Sequence, residues 1–195
     1  MSCPDPLLAV AADGWLPNLE YHPSPNHDAR PGGCAIDMVV IHAISLPPGQ
    51  FGGDGVIRLF QNRCDPAAHP CFESLQHYRV SAHFLIRRDG EVLQFVSCLD
   101  RAWHAGQSSW LGRERCNDFS VGIELEGGDH WPFEEAQYHS LNGLLTALYA
   151  AYPISHLVGH SDIAPTRKTD PGPFFDWSRI VRPPLDGTQF PEEKR

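Results

Sequence analysis

Apolar residues in this chain come in short runs, and their spacing changes from one run to the next. "AIDMVVIHAI" (35–44) is a β-branched apolar run of strand length and predicts a buried strand. "DGVIRLFQNR" (54–63) puts Val56, Ile57, Leu59 and Phe60 on one side of a short helix, with Asp54 in position to cap it. "VSAHFLIRRDGEVLQFV" (80–96) has two roughly alternating runs around Asp89-Gly90, the dipeptide of a tight hairpin turn. "SVGIELEGG" (120–128) alternates strictly, with Val121, Ile123 and Leu125 on one face and Glu124 and Glu126 on a polar one. "EEAQYHSLNGLLTALYAAY" (134–152) carries Tyr138, Leu141, Leu144, Leu145, Leu148 and Tyr152 along one stripe of a long helix, and "SHLVGH" (155–160) is a short strand.

The segments between these elements are polar and rich in turn residues. Residues 1–34 read as an irregular N-terminal arm packed on the domain, "CDPAAHPCFE" as a loop, and 183–195 as a tail. Residues 99–119 read as one long polar loop carrying aromatics and arginines, and a loop of that length in a compact domain is often functional. There is no internal repeat and no linker. The expectation is one mixed α/β domain (35–182) of α+β-like character, a central mixed sheet flanked by helices.

Charge narrows the partners. Lys plus Arg is 15 against 24 Asp plus Glu, a net charge of -9, which argues against a nucleic-acid or membrane-surface binder. An anionic small-molecule ligand would need a few well-placed arginines. The N-terminus lacks a basic region ahead of its short apolar run, and no stretch reaches membrane-spanning length, so a cytoplasmic protein is expected. In that compartment the six cysteines are expected as thiols.

His42 and His160 each end a predicted strand, where a side chain can project into a cleft while the sheet fixes its backbone. Two such histidines and a carboxylate would make a catalytic zinc site, three protein ligands with the fourth position open to water. His83 and His104 are rivals, and spacing does not choose among the four. Asp170, held before Pro171 in "KTDPGP", suits a ligand or a turn; Asp162 competes with it and reads better as a turn cap. Glu124 or Glu126 beside a metal-bound water would be a general base. No HExxH, GxSxG, Walker or dinucleotide motif is present.

"VVIHAISLPPGQFGG", "VSAHFLIRRDGEVLQFV", "RAWHAGQSSWLGRERCNDFSVGIELEG" and "GHSDIAPTRKTDPGPFFDW" resemble, in that order, the AmpD-type amidases, over about residues 22–180. These are cytosolic zinc amidases of bacterial cell-wall recycling. The resemblance implies the fold shared with phage amidases and peptidoglycan-recognition proteins. It implies one zinc per chain on His42, His160 and Asp170, with Glu124 activating water and Lys168 stabilising the oxyanion. It also implies Arg79, Trp103 and Arg115 at the site of a small-molecule muropeptide substrate. From the charge and the apolar runs no nucleic-acid or membrane partner is expected, and the chain is expected as a monomer. His83, His104 and Asp162 then fall outside the ligand set. One residue departs from the pattern: Ala43 stands where the family usually has an asparagine that touches the sugar. Two other readings compete, an amidase acting on intact peptidoglycan and a zinc-free binding module, and such a module should lack a ligand or catalytic group.

Overall fold

The computed structural model describes residues 8–184, so Cys3 and the expected tail from 185 onward lie outside the described residues. In chain order the strands are β1 (Glu20–Tyr21), β2 (His27–Ala29), β3 (Met38–Ile44), β4 (Phe84–Ile86) and β5 (Val92–Gln94). They continue with β6 (Asp100–Ala102), β7 (Ser109–Trp110), β8 (Arg113–Glu114), β9 (Ser120–Glu126) and β10 (His156–Gly159). The α-helices are α1 (Gly55–Phe60), α2 (Pro70–Leu75), α3 (Glu135–Ala151) and α4 (His160–Ile163).

Six strands form one mixed sheet in the order β1-β5-β4-β9-β3-β10, in which only the β4–β5 hairpin is antiparallel. Two small antiparallel pairs, β2–β6 and β7–β8, stand beside it. The hairpin turns over Arg88, Asp89 and Gly90, closed by Gly90 N–H to the Arg87 carbonyl and Arg87 N–H to that of Glu91. Among the described residues no helix is long and apolar enough to cross a membrane, and Cys34, Cys64, Cys71, Cys98 and Cys116 are free thiols.

The period-2 pattern decides which side chains meet. Val39 and Ile41 of β3, Phe84 and Ile86 of β4, and Val121, Ile123 and Leu125 of β9 face α3. There they pack on Tyr138, Leu141, Leu144, Leu145 and Leu148, a stripe that is almost wholly buried. Burying each such leucine contributes roughly 2–3 kcal/mol. Helix α3 starts on a capping box in which the Gln137 side chain accepts from Glu134 N–H and donates to the carbonyls of Ile86 and Glu126. The start of the helix is thereby tied to the ends of β4 and β9.

The opposite face is covered at its two ends and polar in the middle. Leu85 and Leu93 meet Val56, Leu59, Phe60 and Phe72 of α1 and α2 over β4 and β5. Met38, Val40 and Val158 meet Ala105, Phe119 and Ile163 over β3 and β10. Between these clusters β9 presents Ser120, Gly122, Glu124 and Glu126, every one buried. The polar side of β9 is therefore an interior one, because this sheet is covered on both faces.

Three expectations need correction. "CDPAAHPCFE" was expected as a loop, but Pro70–Leu75 is helical: proline starts the helix and His69 caps it, its Nδ1 accepting from Cys71 N–H. Residues 99–119 hold three short strands and a 3₁₀ turn (Cys116–Asp118) in place of a continuous loop. Asp54 precedes α1 without making a side-chain cap. The N-terminal segment adds β1 and β2 to the sheets and buries Leu16 completely.

Candidate active site

Strands β3 and β9 run parallel with His42 opposite Glu124, so both side chains leave the sheet on the polar strip. Strand β10 pairs with the other edge of β3 and ends at Gly159, which puts His160 in the first turn of α4. Asp162 accepts from Gly159 N–H at 2.7 Å and so caps that turn rather than joining the cluster. The loop carrying Asp170 folds back over the turn. Ser161 N–H donates to the Asp170 carbonyl, and Pro171 comes so near Gly159 that a Cβ there would sit 2.8 Å from the proline ring. Only glycine allows that approach.

His42, His160 and Asp170 thus converge. Nδ1 of His42 lies 3.0 Å from Nδ1 of His160 and 3.0 Å from Oδ2 of Asp170, and the third side of the triangle is 3.1 Å. The far nitrogens of both rings are engaged elsewhere, Nε2 of His160 with the Ala105 carbonyl (3.1 Å) and Nε2 of His42 with His104 Nδ1 (2.9 Å). Both histidines are buried and the Asp170 side chain is nearly so. Three electron-pair donors brought this close repel unless a metal cation or a shared proton lies among them. Ligands at roughly 2.0–2.1 Å from a tetrahedral zinc stand about 3.3 Å apart, so the triangle fits a metal ion.

Glu124 sits beside this cluster with Oε2 buried and without a hydrogen-bond partner among the described residues. Burial and the negative charge of Asp170 push its carboxyl well above the usual range, and the Lys168 cation pulls it back. Lys168 is half-buried, its backbone N–H held by the Ala164 carbonyl. His42 is driven down to about 4, chiefly by burial.

Glu126 is spoken for: Oε1 accepts from Gly52 N–H and Oε2 from Arg88 N–H, so it anchors two loops. His83 lies behind the cluster, accepting from Gly122 N–H at Nδ1 (2.9 Å), with Nε2 against the Asp100 carbonyl (3.1 Å). Ala43 packs toward the main core on the face away from His42, so a side chain there does not look onto the cluster.

Arg79 is exposed and donates to the carbonyls of Gln76 and Tyr78. Trp103 and Arg115, apart in sequence, hang on one charged network. Trp103 Nε1 donates to Asp28, Arg101 grips Asp28 through two contacts of 2.6 Å, Arg101 also reaches Asp118 at 2.5 Å, and Arg115 Nε lies 3.4 Å from Asp118. Arg115 and Arg167 line a cleft of about 370 Å³ next to the loop bearing Lys168. A larger cleft, about 770 Å³, lies between α3 and the hairpin and holds none of these groups. Sequence reasoning missed Asp28, Arg101 and Arg30, whose partners lie up to 90 residues away.

Comparison with known proteins agrees with this architecture. The N-acetylmuramoyl-L-alanine amidase family model matches residues 32–173. The 1,6-anhydro-N-acetylmuramyl-L-alanine amidase AmpD of Enterobacter cloacae is 54% identical over 170 residues, covering 86% of this chain and 91% of that protein. A crystal structure of selenomethionyl AmpD superposes with a TM-score of 0.84 at 54% identity, over 86% of this chain and 95% of that one. Escherichia coli AmiD, solved with anhydro-N-acetylmuramic acid-L-Ala-D-gamma-Glu-L-Lys, gives 0.56 at 32% identity, over 77% of this chain and 58% of that one. On sequence and fold together, this chain belongs to the N-acetylmuramoyl-L-alanine amidase family.

Proposed function

We propose that this chain is a cytoplasmic, monomeric enzyme of cell-wall recycling. It hydrolyses the amide between the lactyl group of 1,6-anhydro-N-acetylmuramic acid and the L-alanine of a soluble muropeptide. His42, His160 and Asp170 hold one zinc ion, Glu124 and Lys168 carry the proton and charge chemistry, and Arg79, Trp103 and Arg115 receive the peptide. The observation that carries the reading is the triangle of donors, 3.0–3.1 Å on a side, next to a buried carboxylate oxygen with no hydrogen-bond partner among the described residues.

When bound, zinc supplies Lewis acidity that polarises the scissile carbonyl and acidifies water. Glu124 takes the proton of the attacking water and returns it to the departing alanine nitrogen. A buried carboxyl with a raised pKa is suited to that exchange. Lys168, whose positive charge reaches both Glu124 and His42, offsets the oxyanion that develops on the carbonyl oxygen. Arg79 and Arg115, both exposed, grip carboxylates of the peptide stem through paired hydrogen bonds, and so locally overcome the net charge of -9.

Mass spectrometry of the products from purified anhydromuropeptide tests the reaction. The expected products are the free anhydro sugar and the intact peptide, released much faster than from whole sacculi; cleavage at another bond or a preference for sacculi rejects the proposal. Glu124→Ala and Lys168→Ala are each expected to retain zinc and lose on the order of 10² to 10⁴ in rate.

A further inference from the structure

Behind His42 runs a line of hydrogen bonds that leaves the cluster. Nε2 of His42 lies 2.9 Å from Nδ1 of His104, Nε2 of His104 lies 3.2 Å from Oγ of Ser120, and Ser120 Oγ lies 2.6 Å from the Cys116 carbonyl oxygen. All three side chains are buried. The line can be read from its far end. A carbonyl oxygen only accepts, so at 2.6 Å the single hydroxyl proton of Ser120 must point at Cys116. Ser120 Oγ then accepts from His104 Nε2–H. A neutral imidazole has one N–H and one bare nitrogen, so His104 Nδ1 is an acceptor and takes the proton of His42 Nε2. The Nδ1 of His42 is left bare, directed at His160 and Asp170.

We infer that His104 and Ser120 are positioning residues that hold His42 in the tautomer able to bind a metal. The need for them is specific to this arrangement. Asp170 Oδ2 lies 3.0 Å from His42 Nδ1 and would accept a proton there, which blocks the ligand position. His104 competes for that proton on the other side of the ring, and the Cys116 carbonyl sets the direction of the whole line. Gly122 is part of the device: a Cβ at that residue would come within 2.5 Å of the His104 ring, so glycine makes the space the ring occupies.

This inference rests on the reading of His42, His160 and Asp170 as the zinc ligands, and two measurements separate them. Zinc titration of the wild type tests the ligand reading alone. The inference is tested by zinc affinity in His104→Phe and His104→Asn, with ¹⁵N NMR of the His42 ring in metal-free wild type and Ser120→Ala. His104→Phe fills the same space without an acceptor and is expected to weaken zinc binding tenfold to hundredfold. His104→Asn, with an oxygen near the position of Nδ1, is expected to recover most of that loss. In metal-free wild type the His42 proton is expected on Nε2, and in Ser120→Ala it shifts toward Nδ1. A folded His104→Phe protein with wild-type zinc affinity, no recovery in His104→Asn, or a His42 proton on Nδ1 in the wild type would each overturn the inference. Should His104→Phe not fold, the NMR comparison with Ser120→Ala decides.

Discussion

His83 and Glu124 show one physical effect with two outcomes. Both are buried on the polar strip, but His83 has a partner at each ring nitrogen, whereas one oxygen of Glu124 has none among the described residues. Satisfied burial is structural, and unsatisfied burial beside a donor cluster points to chemistry. Burial, reinforced by the charge of Arg30, drives His83 from 6.5 to about 3. Between those values the unfolded chain binds a proton that the folded chain refuses, so stability is full above about 6.5 and drains as pH falls toward 3. Each pH unit in that window costs about 1.4 kcal/mol for one such group. Urea unfolding of metal-free protein at pH 7 and pH 5 should show the wild type losing stability. His83→Gln, weaker at pH 7, should lose roughly 2 kcal/mol less between the two pH values; an equal loss in both would show that His83 is not the group responsible.

At the level of elements, the long signals and the Asp89-Gly90 hairpin were legible, and the short strands without a turn dipeptide were not. Strand β3, strand β9 and helix α3 carry enough residues for a period to show, and each lies within three residues of where the pattern puts it. Strands of two or three residues such as β6, β7 and β8 have no period to read, which is why 99–119 looks like a loop. Helix α2 did leave a signal in "HPCFE", a proline at the first helical position after a capping side chain. What no local pattern carries is Arg30, which reaches from the N-terminal segment to donate to the carbonyls of Cys98, Asn117, Asp118 and Ser120. These contacts fasten the start of β9, and with it the register that sets Glu124 opposite His42. Arg30→Met leaves four carbonyls without that donor and should cost about 3 kcal/mol in chemical unfolding; a change below about 0.5 kcal/mol would show that water replaces the guanidinium freely. In the second network, Arg101→Leu releases Trp103 and Arg115 together. It is expected to raise KM for the muropeptide several-fold with kcat little changed, and a fall confined to kcat would place Arg101 in a different role.

Across the whole molecule, the sheet is what turns separated motifs into one site. His42 and Asp170 are 128 residues apart, and nothing local in either joins them. The residues by themselves left four histidines as candidates, and resemblance to a family selected two. The parallel order β9-β3-β10 then brings those two to the same end of the sheet, while the path of the chain leaves His83 and His104 behind them. The physical reason for the choice is long-range register, which a single sequence does not display. The most direct test is zinc stoichiometry and anhydromuropeptide hydrolysis measured side by side on wild type, His160→Ala and Glu124→Gln. The expected result is one zinc per chain in the wild type and in Glu124→Gln, a rate loss on the order of 10² to 10⁴ in the latter, and neither zinc nor activity in His160→Ala. A His160→Ala protein with full zinc, or a Glu124→Gln enzyme turning over at the wild-type rate, would contradict it.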